Sequence, residues 1–387
     1  MNLRVFSPKR ILIWIALLLL IGTLAVVFRM PRKMPPLYRP TPLPHVLRKM
    51  YTDKEIMEHF VPDGCPIPPW LRDLNVEPVR LWAHMGNGRP GVQRVEGCST
   101  PCVIDSPSMN EMGTAASTAD AHMYSVFDVS SDFPPHFLNF TSPFCPLRRI
   151  VFWGMESEEY YPMVRESRKH GFDISMDYRL SSDVPIPYLN NGQYSLHNNY
   201  TPFENKKKDV LASAFISNCS PRNDRLRWQR ELMKLIRVDS YGACEKNIDE
   251  TIYPEGRHVF KKEKLKEYLF TFAFENSDAD DYVTEKIYQA FEAGTVPVYM
   301  GTDTIDKFIP SDHSTIKVSD YKSPKELADY LIYLSEHKDE YEAYLAWKSE
   351  PMPAHLREIS DNSSVDNKCR LCGVVAGHDV GWGVSRW

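Results

Sequence analysis

The sequence predicts an α/β protein built on parallel sheets wrapped by helices. Two observations carry that prediction. From about Val79 onward, short apolar runs alternate with stretches of helical periodicity, and neither an internal repeat nor a long low-complexity tract interrupts the alternation. The 387 residues, 43% hydrophobic and 25% charged, give room for two ordinary domains at a globular average composition. Wholesale disorder, collagen and a coiled coil are excluded on the same grounds.

Strands are predicted at Val79–Trp82, Ile150–Trp153, Phe172–Met176, Val210–Ser217, Tyr268–Phe274 and Thr295–Met300. Helices are predicted between them: Pro162–Lys169 stopped by Gly171, Asp224–Ile236, Tyr282–Ala293 stopped by Gly294, and Pro324–Ser335. The last opens on Ser323, Pro324 and Glu326, a capping box with proline in the first turn. The polar segment Asn190–Asp209, with Lys206, Lys207 and Lys208, reads as a solvated link between two α/β units.

Upstream of this body, Ile11–Phe28 is an uncharged apolar run of 18 residues, near the length of one membrane-crossing helix. Bulky Val26, Val27 and Phe28 at its exit argue for an uncleaved anchor over a signal peptide. Basic residues flank it on both sides, so orientation follows from what comes after. Four N-x-Ser/Thr sequons (Asn139, Asn199, Asn218, Asn362) and all eight cysteines lie downstream, which suits an oxidising lumen. The expected plan is a cytosolic tail (1–10), a signal anchor (11–28), a proline-rich stem (29–77) and two luminal domains (78–205 and 206–387). Residues 1–49 hold nine basic and no acidic residues, leaving 37 basic against 51 acidic in the remainder. A body that negative excludes nucleic acid as a partner.

The densest chemical signal is Phe274–Gly301, FENSDADDYVTEKIYQAFEAGTVPVYMG. It reads as strand, acidic loop, helix, glycine stop and strand. Val283, Ile287, Ala290 and Gly294 recur at helical spacing and face the sheet, leaving Tyr282, Glu285, Lys286 and Gln289 on the other side. Lys286 at a helix start after a strand is placed to bind a phosphate, since free backbone N–H groups and the positive dipole end favour an anion there. Asp278 and Asp280 spell D-x-D, a metal-and-phosphate pattern in some transferases, but any acidic loop produces the triplet. Asp281 is expected to cap the following helix.

That segment strongly resembles the donor motif of family 10 α1,3-fucosyltransferases. The resemblance continues through MESEEYY (155–161), LSSDVPIPY (180–188), FISNCSPRNDRLR (215–227), VDSYGAC (238–244) and CRLC (369–372). It is similar in detail to the branch that fucosylates the N-glycan core in plants and invertebrates. The resemblance implies a GT-B fold of two facing Rossmann-like domains, GDP-fucose as donor, N-glycoproteins as acceptors, and a single-pass type II Golgi membrane protein. It implies donor-binding roles for Arg225, Asn276, Tyr282, Glu285 and Lys286, and a catalytic base at Glu156, preferred over Glu158 and Glu159. No metal is required on this view, although added Mn²⁺ can stimulate turnover. Outer-arm N-acetyllactosamine, protein O-fucosylation and an inactive glycan-binding role stay open as alternatives, as does the oligomeric state.

The resemblance also implies a Cys219–Cys244 disulfide, which would leave Asn218 unglycosylated and Asn139, Asn199 and Asn362 as the candidate glycosylation sites. For Cys369 and Cys372 two pairings remain: with Cys98 and Cys102, or with each other. A four-thiolate zinc site is the less favoured alternative in an oxidising lumen.

Overall fold

The computed structural model describes residues 44–83, 91–106, 118–129, 145–189, 193–198, 200–249 and 257–378. Chain contacts divide between Pro40 and Thr41, and every described residue belongs to the second unit. The apolar run 11–28 and sequons Asn139 and Asn199 lie outside the described residues. Among the described residues no helix is long and apolar enough to cross a membrane.

The chain enters through two short helices, α1 (Pro44–Met50) and α2 (Asp53–Phe60). Thr52 caps α2 in a reciprocal box with Glu55. Leu47 and Ile56 bury against Leu147, Cys65 is disulfide-bonded to Cys145, and the Arg72 guanidinium grips the buried Asp120 carboxylate at 2.6 Å. Residues 44–77 are therefore packed structure, correcting the expectation that the whole of 29–77 is a spacer. Proline content marked the segment as extended, but its few apolar side chains are enough to dock it.

Strands β1 (Val79–Ala83), β2 (Gly91–Val95), β3 (Cys102–Ser106), β4 (Ala121–Ser125), β5 (Arg149–Gly154) and β6 (Ile174–Asp177) form the first sheet in the order β2-β3-β1-β4-β5-β6. Only β2 runs antiparallel, on the edge. Every residue of β4 is buried, as expected for a parallel strand covered on both faces. Helix α3 (Met163–Glu166) continues as a 3-10 turn to Gly171, which ends it in the left-handed conformation.

The second sheet is wholly parallel: β7 (Ala212–Ala214), β8 (Val238–Ser240), β9 (Phe270–Phe274), β10 (Val296–Met300) and β11 (Ile316–Lys317), in the order β11-β10-β9-β7-β8. Around it lie α4 (Arg225–Leu235), α5 (Arg257–Leu265), α6 (Glu285–Ala293), α7 (Pro324–Glu336) and α8 (Lys338–Ala343). Ser323 accepts from the Glu326 backbone N–H at the start of α7 as expected, while the Glu326 carboxylate bonds Lys322 rather than the cap residue itself. Because β7 sits between β8 and β9, the strand order reverses there. A crevice opens outside the carboxyl ends of β7 and β9, the place where open α/β sheets receive ligands.

The lysine run between the sheets is solvated as expected at Lys208 and in part at Lys207, but not at Lys206. Lys206 is 3% exposed and donates to the carbonyls of Lys266 and Tyr268, both at 3.1 Å. Burial pushes its pKa down to about 7. The domain boundary is crossed again at the chain end, where α9 (Ala354–Ser364) is followed by α10 (Asn367–Val375). Leu371, Cys372 and Val375 pack on Val79, Leu81 and Val151 of the first sheet, so residues 367–375 leave the 206–387 domain in which they were expected. Disulfides Cys98–Cys369 and Cys102–Cys372 fix them there, which decides the open pairing.

Candidate active site

Two loops meet across the cleft between the sheets, one from the end of β5 and one from the end of β9. Gly154 closes β5, and a Cβ there would come within 2.9 Å of Val126. The following Met155–Tyr161 loop is bonded on both sides. Tyr188 donates to the Met155 carbonyl at 2.7 Å, Ser277 donates to Ser157 at 2.6 Å, and Tyr160 donates to the Ser220 carbonyl at 2.8 Å. The last two bonds reach the second sheet's loops. A third link runs from the Leu180 backbone N–H to Asp281. The β5 loop is thus held against the β9 loop at fixed distance.

The three glutamates of that loop have separate surroundings. Glu158 is buried and ion-paired with Arg165, with Arg179 3.9 Å away. Glu159 is exposed. Glu156 is half-buried and makes no hydrogen bond or ion pair among the described residues. Its carboxylate lies close enough to Tyr188 and Tyr282 to disfavour their ionisation, adding to the dominant effect of burial.

Across the cleft, Glu275 at the end of β9 is fully buried. It accepts from the Thr284 backbone N–H at 2.8 Å and from the Lys286 ammonium at 2.9 Å. Burial raises its pKa against the pull of Lys286. Lys286 also reaches Thr284 Oγ1 at 2.6 Å and Glu285 at 3.4 Å. Burial opposes its charge, but Glu275 and Glu285 hold its pKa above the ordinary value. Burial likewise raises Glu285, yet Lys286 and Lys261 bring it below the usual range. Glu275 escaped the sequence reading because a carboxylate at a strand end looks like surface; its place in FENS was the available signal.

Arg225 is 2% exposed. Its two amino groups donate to the Phe274 carbonyl at 3.0 Å and the Asn218 carbonyl at 2.6 Å, tying the ends of β7 and β9 together. Its Nε has no partner among the described residues. Asn276 is half-buried beside these groups, its carbonyl accepting from the Arg222 backbone N–H at 2.8 Å. Gly242 presses on the end of β7, where a Cβ would lie 2.1 Å from the Ile216 carbonyl oxygen. The Cys219–Cys244 disulfide clamps the same two loops. The Asn218 side chain, inside that clamp, donates to Tyr160 and accepts from the Ser220 N–H.

Two expectations at the helix start are corrected. Helix α6 begins at Glu285 with Thr284 as N-cap residue, so Tyr282 lies before it, 3% exposed and edge-on to Tyr178 at 4.9 Å. Asp281 does not cap the helix: it has φ 59°, and its carboxylate bonds Leu180, Thr304 and Lys307. Of the D-x-D pair, Asp278 accepts from Asn223 at 2.7 Å and Asp280 is exposed. Among the described residues no group of three His, Cys, Asp or Glu is arranged to hold a metal. Asn362 sits half-buried within α9.

Residues 205–381 match the family model described as "Glycosyltransferase family 10 (fucosyltransferase) C-term". Over that span the chain is similar to family 10 fucosyltransferases. A fucosyltransferase-like protein of Arabidopsis thaliana is 39% identical over 229 residues, covering 58% of this chain and 43% of the relative. The Bos taurus 4-galactosyl-N-acetylglucosaminide 3-α-L-fucosyltransferase 9 is 32% identical over 209 residues, covering 53% and 54%. The chain thus spans about half the length of the curated relatives it matches. Its fold is that of a crystal structure of an α1,3-fucosyltransferase, at TM-score 0.51 and 17% identity over 83% of this chain and 97% of the other. The same enzyme class crystallised with GDP gives TM-score 0.50 at 18% identity, covering 82% and 96%.

Proposed function

We propose that this protein transfers L-fucose from GDP-fucose, with inversion, to O3 of a GlcNAc, and that the acceptor is the Asn-linked core GlcNAc of N-glycans on glycoproteins. The observation that carries the transfer chemistry is the pairing across one cleft of an uncommitted carboxylate, Glu156, with a cation-bearing helix start, Lys286 on α6. Glu156 takes the proton from the acceptor hydroxyl as its oxygen bonds to fucose C1. The C1–phosphate oxygen bond breaks on the opposite face, and GDP leaves with the bonding electron pair. Lys286, Arg225 and the free N–H groups of α6 stabilise the charge that builds on the diphosphate. Asn276, Tyr282 and Glu285 surround the sugar and nucleotide.

The core acceptor is supported by the blocks FISNC, DSYGAC, YVTEK and CRLC. A second reading, transfer to outer-arm N-acetyllactosamine, is supported by the name of the Bos taurus relative. Residence in the Golgi as a type II membrane protein belongs to the same proposal and rests on the apolar run 11–28 ahead of the cysteine-bearing body. The test offers the full chain labelled GDP-fucose with a GlcNAc-terminated N-glycopeptide and N-acetyllactosamine side by side, in EDTA and in Mn²⁺. Label on the peptide-proximal GlcNAc in EDTA is expected. Label on lactosamine alone replaces the acceptor, and transfer to neither removes the proposal.

A further inference from the structure

Lys261 has no part in the site as built so far. It stands on α5, which packs against α6, and its side chain is half-buried. Its ammonium lies 5.5 Å from the centre of the Phe215 ring, just beyond the end of β7. The charged groups that face it are Glu285 and Lys286 from α6 and Glu275 from the end of β9. Its neighbours on α5 turn elsewhere, Lys262 to Glu292 at 2.6 Å and Lys264 to Glu267 at 3.3 Å. The ammonium therefore belongs to the crevice where the strand order of the second sheet reverses.

The other two cations there, which the donor reading also aims at the diphosphate, have protein partners in addition, and Arg225 keeps its Nε unpartnered. Arg225 spends both amino groups on backbone carbonyls, and Lys286 is paired with Glu275 and Glu285. Lys261 makes no hydrogen bond or ion pair among the described residues. A half-buried ammonium with no anion in direct contact is costly to maintain, and an incoming diphosphate supplies a contact that Glu285 and Glu275 do not.

We propose that Lys261 is a third cationic arm of the donor pocket, binding the diphosphate of the nucleotide-sugar directly. This rests on the donor reading above. Burial, aided by Lys286 and opposed by Glu285 and Glu275, pushes the Lys261 pKa down to about 8. Below that pH the arm is charged in the free protein; above it, binding must take up a proton, because a bound diphosphate raises the pKa again. GDP affinity consequently falls as pH rises from 7.5 to 9.5. Arginine at the same position keeps its charge throughout.

The experiment is calorimetric titration of the full chain with GDP and with guanosine at both pH values. Wild type is expected to lose about tenfold in GDP affinity at the higher pH, and Lys261→Ala to lose about tenfold already at the lower one with little further change. Guanosine affinity should be equal in both, which also reports that the variant is folded. Lys261→Arg should retain GDP affinity at the higher pH. Wild-type GDP affinity in Lys261→Ala, or an unaltered pH dependence in Lys261→Arg, overturns the proposal while leaving the donor site standing. Absence of GDP binding by wild type overturns both, and loss of GDP affinity in Lys286→Ala alone assigns the diphosphate to Lys286 without Lys261.

Discussion

Glu156 and Glu158 share a side chain and a loop, yet their environments assign them opposite work. Glu158 is buried against Arg165 and Arg179, and removing its charge takes the ion pair from Arg165, while Arg179 keeps Asp177 at 2.8 Å. Glu158→Gln should lower stability by about 1–3 kcal/mol, seen as an earlier midpoint in denaturant unfolding with an unchanged slope. Sequence marked all three glutamates of MESEEYY equally, because residue type says nothing of which one finds an arginine. The resemblance singled out Glu156. Only tertiary structure supplies the reason, since Arg179 comes from a separate loop beyond β6. Glu275 and Lys261 were missed for the same cause: their significance is a matter of what faces them across the crevice, not of local pattern.

Among the elements, the second sheet was the more legible. Strands β9 and β10 and helix α6 are strongly apolar or strongly periodic, and Gly294 at φ 65° ends the helix as its position implied. In the first sheet β3 and β4 carry Asp105, Ser106, His122 and Ser125, so no apolar run announces them. The three-residue β8 and two-residue β11 are too short for any periodicity. The loop pair after β7 and β8 offers a test at this scale. Gly242→Ala must displace the Ile216 carbonyl, costing about 1–3 kcal/mol, and should weaken GDP binding by moving the Arg225 loop. Breaking the Cys219–Cys244 bridge, at a sequence separation of 25, should cost about 3 kcal/mol on the chain-entropy account. Thermal unfolding with and without GDP reads both effects; unchanged melting in either variant would show that the clamp is dispensable.

For the molecule as a whole, the linear domain plan departs from the structure at residues 44–77 and 367–375 for one physical reason. An apolar face packs wherever it finds a surface: α10 finds the first sheet, and α1 and α2 find Leu147 just ahead of β5. Composition could mark a proline-rich stem and a terminal Cys-x-x-Cys, but not where either docks. The paired bridges Cys98–Cys369 and Cys102–Cys372 span 271 and 270 residues. Once one has formed, the other closes only a ring of a few residues. The Cys102→Ala, Cys372→Ala double variant should therefore lose little in melting temperature, whereas removing both bridges should cost about 5 kcal/mol. Equal losses in the two cases would contradict that account.

The central claim, a carboxylate base facing a diphosphate site across the cleft, is tested most directly by the single-turnover rate of Glu156→Gln at saturating GDP-fucose, with GDP affinity measured in parallel. The account predicts a rate about 10²- to 10⁴-fold below wild type with GDP affinity unchanged. A wild-type rate, or a loss of GDP affinity that accounts for the whole effect, would contradict it.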